Sequence, residues 1–410
     1  MKYKNNFIIT LTVTILILFL KYINVLQVEN QFGHPVIILI LIVFFSFITI
    51  FIQNIIDKNI IKNNINYDNL DILKYICSIL IVVLHLRPFL NFSDELDLAF
   101  NNIITRICVP LFFVITGYFV AKKEKENPHY IESYIKKTIP LYLIWSLIYI
   151  PVIVATIVQY LPTINDYLAN INIAFPLLIL LLIILIPIVI FVAIIYTGVY
   201  YHLWYFPAII FSLMVLGKWK KKFPLKYLLI ISFILLLFGA TETYYGVLPV
   251  TIKELISFYY NIFFTTRNFL FFGLFYVVLG YFMGEKEKIY SKYCFEKLII
   301  SVFLLIFEAI LLHDTERLNS NILLSCIPLV YYLFISTIYI TNNTKSTFPF
   351  RNLSKYYYLI HPMIIFIFFS LNIINVDTKP YIQIILTLAM THLISLIIIK
   401  LKKKYKKLII

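Results

Sequence analysis

The sequence predicts an all-α, polytopic integral membrane protein, a helical bundle of about twelve transmembrane helices. Three observations carry that reading. The chain of 410 residues is 61% hydrophobic and only 13% charged, with a mean hydropathy of +0.91. That is far more apolar side chain than one or two soluble cores bury. The apolar residues fall into runs of about 20, the length that crosses a bilayer. Basic residues collect between alternate runs, as orientation signals do. A water-soluble enzyme, a disordered chain and a collagen-like chain are excluded.

The runs begin with 7–28 and 35–56. Lys2 and Lys4 before the first run mimic a signal peptide. However, the run is too long, no small-x-small cleavage site follows it, and a second apolar segment starts at Pro35. A retained first helix is expected, so 1–66 should form two extra N-terminal transmembrane helices. Ten further runs lie at 70–90, 104–121, 137–160, 203–217, 225–243, 265–283, 297–313, 323–341, 356–374 and 381–400. They define a ten-helix membrane domain over 67–410.

A thirteenth apolar stretch, 173–200, is assigned by charge. With the N-terminus inside, Lys58, Lys62, Lys122, Lys123, Lys125 and Lys136 fall inside, and Asp94, Glu95 and Asp97 fall outside. Were 173–200 to cross, Lys218, Lys220, Lys221, Lys222, Lys286, Lys288, Lys292 and Lys402–Lys404 would all land outside. An interfacial or re-entrant segment, interrupted at Pro176 and Pro187, keeps them all inside. Twelve crossings with both termini cytoplasmic follow. The formal charge of +15, from 35 Lys and Arg against 20 Asp and Glu, is then an orientation signal, and no nucleic-acid partner is expected. Cys77, Cys108, Cys294 and Cys326 form no CxxC pair and read as buried free thiols. The seven histidines lack HxxxH or HExxH spacing, so no metal site is expected.

Polar residues inside a bilayer cost several kcal/mol unless they are paired or functional. In DILKYICSILIVVLHLRPF, Lys74 and His85 lie eleven residues apart. That places them on one helix face about 16 Å apart in rise, with Ser78 on the same stripe. A snorkelling lysine and a hydrogen-bonded histidine would give the same pattern. Arg106 opens the next run, RICVPLFFVITGYF, in which Thr116 and Gly117 permit close helix approach. His202, Trp204 and Tyr205 lie at the outer interface, where an aromatic belt is the plainer reading. Arg267 and Asn268 start a glycine-containing run with Gly273, Gly280 and Gly284. Ser354, Tyr358 and His361 lie near the inner end of a late run; His361 precedes Pro362 and could serve a carbonyl freed by that proline.

Five pieces therefore occur in order: Lys74, ten residues and His85; RxxVPLFFVxTGYF from Arg106; Lys136 and Lys137 before Pro140-x-Tyr142; HLWY from His202; and Ser354 leading into YLIHP at Pro362. With this order and spacing, residues 70–400 resemble acyltransferase family 3, the integral membrane O-acyltransferases. The branch is that near the membrane domain of vancomycin-type serine racemases and of enterobacterial-type O-acetyltransferases. The resemblance implies transfer of an acyl group, usually acetyl from acetyl-CoA as cosubstrate, to a hydroxyl of a cell-surface carbohydrate or similar envelope acceptor. His85 and its basic partner Lys74 take the catalytic positions. A lysine replaces the family's common arginine, and the basic run before Pro-x-Tyr is reduced to two lysines. No hydrolase-like or racemase domain follows, so the expectation is a chain acting alone or with a separate partner.

The chemistry is consistent with those residues. Acyl transfer to an alcohol needs a base, and histidine has a suitable unperturbed pKa. His85 could alternatively carry the acyl group as a covalent relay. Arg106 or Arg267 could stabilise the tetrahedral oxyanion, worth ~3 kcal/mol in other acyl-transfer enzymes. The inner-face lysines could cradle the donor's phosphates. Ser78, Lys136, Lys137, Trp204, Tyr205, Arg267, Asn268 and His361 are the expected substrate- or donor-binding residues. A multi-pass transporter or flippase of a small polar or envelope substrate is the competing reading, since intramembrane charges and a broken helix suit one equally.

Overall fold

The computed structural model describes residues 67–170, 175–286, 293–313, 315–340 and 348–408. The expected helices at 7–28 and 35–56 lie outside the described residues. Every regular element among the described residues is helical, as lipid requires of a backbone that must satisfy its own polar groups.

Helix α1, Asp68–Leu86, opens with Asp68 and Asp71 in its first turn, where carboxylates complement the helix dipole. It stops because Arg87 adopts the left-handed conformation (φ 45°, ψ 52°), returning its N–H to the Val83 carbonyl, and Pro88 follows. A continuous helical stretch, Asp94–Glu124, comes next. Ser93 caps it by accepting the Leu96 N–H at 3.2 Å. Its winding changes along its length. Leu98–Ile103 is π-helical, Ile104–Ile107 is a 3₁₀ turn, and α2, Cys108–Glu124, is regular.

The run expected as one crossing at 137–160 is two helices, α3 (Tyr130–Ile148) and α4 (Ile150–Asn170), bent by 43° at Tyr149. Pro151 lacks the N–H that would continue the ladder across the break. Helix α5, Phe175–Val192, corrects the expectation of an interrupted stretch. It passes unbroken through Pro187 and ends in a π-helical turn, Ala193–Thr197; Pro176 lies in its first turn, where a missing N–H costs nothing. There follow α6 (Tyr205–Trp219), α7 (Leu225–Ala240), α8 (Val250–Phe263), a π-helical turn (Phe269–Gly273), α9 (Leu274–Glu285), α10 (Cys294–His313), α11 (Cys326–Tyr339), α12 (Phe350–Ser370) and α13 (Pro380–Leu408). Helix α8 was not among the expected elements. It is short and carries Lys253 and Glu254 among its apolar residues, so it does not read as a crossing.

Four stretches, Asp68–Leu86, Asp94–Glu124, Phe350–Ser370 and Pro380–Lys404, are long and apolar enough to span a membrane, and the bent pair α3–α4 makes a fifth. Several shorter apolar helices accompany them, including α6, α7 and α11. Large apolar side chains such as Leu147, Ile234 and Leu393 lie on the outer surface, as they do in a multi-pass membrane protein. The tightest packing joins α2 to α9. A Cβ on Gly117 would lie 2.1 Å from the Val277 carbonyl oxygen, and one on Gly280 the same distance from that of Val114. Helices α1 and α12 run parallel: Arg351 pairs with Asp71 at 2.9 Å, and Ser354 Oγ donates to the Lys74 carbonyl at 3.1 Å.

The bundle has two chemically different ends. At one, Lys220 pairs with Glu124 at 2.6 Å, Lys122 donates to the Lys286 carbonyl and Lys125 to that of Glu285, drawing α2, α6 and α9 together. Tyr67 meets Tyr118 there, so the α1 N-terminus lies at this lysine-rich end. The α1 C-terminus, with Arg87 paired to Asp97 at 2.8 Å, lies at the other.

Candidate active site

The last turn of α1 presents His85 to a cavity of about 50 Å³, room for a few waters. None of the described residues hydrogen-bonds its ring nitrogens. Its ring packs 4.8 Å from Tyr201 and stacks on His361 at 5.3 Å with planes 21° apart. His361, fully buried on α12, donates from Nδ1 to the Tyr357 carbonyl at 2.8 Å. A carbonyl can only accept, so that nitrogen carries the proton and Nε2 of the neutral ring is a bare lone pair, which has no partner among the described residues. His361 thus serves a backbone carbonyl one turn back, beside the Tyr358 carbonyl that Pro362 leaves without its helical donor. It sits at mid-helix rather than near the inner end.

The loop after α5 supplies a third imidazole. Gly198 has φ +77°, and a Cβ there would meet Trp204 N at 2.3 Å, so only glycine lets residues 198–204 double back. His202 is thereby buried, its ring 5.8 Å from His361 and 4.8 Å from Tyr149 at the α3–α4 bend. Neither of its nitrogens has a hydrogen-bond partner among the described residues. The Tyr149 hydroxyl donates to the Leu359 carbonyl at 2.8 Å, and the Tyr358 hydroxyl to the His202 carbonyl, which ties loop, bend and α12 together.

Two guanidinium groups share the cavity wall. Arg106 projects from the 3₁₀ turn, with Asn102 Oδ1 3.4 Å from its Nη2. Arg267 lies over Trp204, 5.1 Å from the ring centroid. Its loop is held residue by residue. Phe264 is left-handed (φ 60°). Tyr196 donates to the Thr265 carbonyl, and the Thr266 N–H donates to Glu242 Oε2 at 2.8 Å. Asn268 Oδ1 accepts the N–H groups of Leu270 and Phe271, and its amide donates to Tyr196 at 2.9 Å. Glu242 is fully buried, and its second oxygen accepts from Asn321 Nδ2 at 2.6 Å.

Of the residues expected from sequence, His85, Arg106, Trp204, Tyr205 and Arg267 line the cavity. His361 stands directly behind His85, and Asn268 caps the turn beside Arg267. Four others lie elsewhere. Lys74 pairs with Asp71 at 2.7 Å toward the lysine-rich end. Ser78, fully buried, donates to the Tyr75 carbonyl. Lys136 and Lys137 are exposed on α3. The cavity adds His202, Asn321, Tyr358 and, behind them, Glu242. Glu242 was detectable as a carboxylate inside an apolar run, as was Glu308, which accepts the Leu324 and Ser325 N–H groups at the start of α11. Asn321 gave no such signal, whereas Tyr358 opens the YLIHP motif. Among the described residues no three His, Cys, Asp or Glu side chains converge to hold a metal.

A family model described as "Acyltransferase domain" (Acyl_transf_3) matches residues 67–400. The chain belongs to acyltransferase family 3. Two proteins of Enterococcus faecalis, each named "Amino-acid racemase", are similar to it. One is 28% identical over 66% of this chain and 36% of its own length; the other is 25% identical over 83% and 47%. A "Serine/alanine racemase" of Enterococcus gallinarum is 24% identical over 72% of this chain and 40% of its own. The chain thus spans less than half the length of these relatives. No solved structure matches it. Family membership and the apolar helices make this a multi-pass membrane protein, and the cavity at His85 is the candidate site.

Proposed function

We propose that this protein transfers an acyl group, acetyl in the first instance, from acyl-CoA to a hydroxyl of a cell-surface carbohydrate or similar envelope acceptor. One observation carries the reading: an imidazole to which none of the described residues hydrogen-bonds faces a cavity that also holds two guanidinium groups. In the proposed step His85 takes the acceptor's hydroxyl proton as the oxygen attacks the thioester carbon. The C–S bond breaks, and the leaving thiolate recovers the proton, giving an ester and free CoA. Stacking on His361 holds the base in one orientation. Arg106 and Arg267 stand where negative charge must be met.

The lysine-rich end would face the cytoplasm and the donor, by the distribution of positive charge. Lys136 and Lys137 would meet the phosphates there, and Lys74 would hold the α1 end of the donor path. The thioester must then travel about 16 Å along α1 from the Lys74 level to His85. The same reading assigns ten crossings to 67–410, two more to 1–66, and both termini to the cytoplasm.

The direct test is release of free CoA from radiolabelled acetyl-CoA by the purified protein, with wild type and His85→Ala compared at equal folded protein. Unchanged release by the variant would remove His85 from the reaction. Label retained on the protein would instead show a covalent relay.

A further inference from the structure

Besides meeting the charge that develops in the reaction, Arg106 and Arg267 are both placed to bind a ligand before it. The Nε of each is buried without a hydrogen-bond partner among the described residues, and both side chains line the cavity next to His85. Among the described residues neither makes an ion pair. The carboxylate beside the Arg267 loop does not answer that charge by contact. Glu242 spends Oε2 on the Thr266 N–H and Oε1 on Asn321 Nδ2. Two guanidinium groups therefore share one cavity, and the carboxylate behind it is already engaged. Burying such charge without a partner is costly, and a neutral alcohol entering the cavity would displace water from both cations and pair with neither.

We infer that the acceptor carries a carboxylate or phosphate beside the hydroxyl it presents, and that Arg106 and Arg267 bind this anionic group before reaction, leaving the hydroxyl at His85. This deepens the acyl-transfer reading and rests on it. The guanidinium shape suits the task. Its planar fork matches carboxylate and phosphate oxygens in pairs. Stacking on Trp204 occupies the face of Arg267, which leaves its donor edge for the ligand. The donor's own phosphates have separate cations, since the lysines gather at the opposite end of the bundle.

The test uses the full chain purified in detergent, with small probe pairs that share a hydroxyl and differ in charge. Lactate is set against propane-1,2-diol, and glycerol 3-phosphate against glycerol. At least one anion is expected to raise the thermal midpoint saturably while its neutral counterpart does not. Arg106→Gln and Arg267→Gln should each weaken that anion's apparent affinity tenfold or more, and Arg106→Lys should restore part of it. Equal stabilisation by the neutral probes, or none by either anion, overturns the proposal. So does a CoA-induced shift that disappears in the same two variants, because the guanidinium groups would then serve the donor. If the variants do not fold, the wild-type contrast between charged and neutral probes still decides. Hydrolytic release of CoA from acetyl-CoA, measured in the same preparation, keeps the two readings apart. Arginine-dependent anion binding without CoA release sinks acyl transfer and leaves the anion site, whereas CoA release without such binding sinks the anion site alone.

Discussion

His85 and His361 stack with ring centroids 5.3 Å apart and planes 21° from parallel, although they come from the first and the next-to-last helices of the described chain. The stack exists because α1 and α12 run parallel and are pinned together at their other ends by Asp71 and Arg351. His85→Ala should therefore lower CoA release by about 10²–10⁴-fold, the usual contribution of a positioned base, with unchanged size-exclusion behaviour. His361→Phe keeps a flat ring beneath His85 and should cost less than His361→Ala, which removes the platform. Equal losses in the two would mean that His361 acts through its lone pair and not through its shape.

The contact between α2 and α9 predicts a steric outcome. Gly117→Ala or Gly280→Ala would put a methyl group 2.1 Å from a backbone oxygen of the facing helix. The helices must separate, at a cost of about 1–3 kcal/mol or more, so the thermal midpoint in detergent should fall. Gly217→Ala is the control. Its added carbon would meet only the Ile131 side chain, at 3.3 Å, which can give way.

At the lysine-rich end, Asp71 joins Lys74 at 2.7 Å to Arg351 at 2.9 Å. Asp71→Ala leaves two cations facing each other and should lower stability by about 1 kcal/mol, whereas Lys74→Ala should cost about half of that. In activity the order should reverse. Lys74→Ala should raise the KM for acyl-CoA, and Lys74→Arg should be tolerated. Thermal unfolding and steady-state kinetics on the same three variants read the two effects separately.

Orientation is open to labelling. In a background lacking Cys77, Cys108, Cys294 and Cys326, Lys222→Cys should react with an impermeant maleimide only after cells are permeabilised. Ser93→Cys, at the other end of the bundle, should react in intact cells. Surface labelling at 222 would mean that α5 adds a crossing.

Much of this arrangement was legible beforehand. The apolar runs gave most helices within a few residues because membrane length and hydropathy act on every residue of a span. The cavity residues His85, Arg106 and Arg267 stood out because charge and imidazole are expensive in lipid. What escaped was set by long-range packing. His202 looked like part of an aromatic belt, and only the Gly198 reversal turns it inward. Lys74 and His85 share a helix face, yet an acid three residues from Lys74 claims it. Hydropathy registers neither the bend at Tyr149 nor the unbroken course of α5, because a proline can end a helix or be carried within one.

The three π-helical turns, Leu98–Ile103, Ala193–Thr197 and Phe269–Gly273, adjoin the segments that deliver Arg106, His202 and Arg267. Each holds a surplus residue relative to ordinary winding. Deleting that residue would restore ordinary winding and re-aim the side chains of the turn itself, while the lipid-facing stretches on either side kept their length and facing. Gain or loss of single residues at these three places is thus a means of redirecting the polar groups without rebuilding the scaffold.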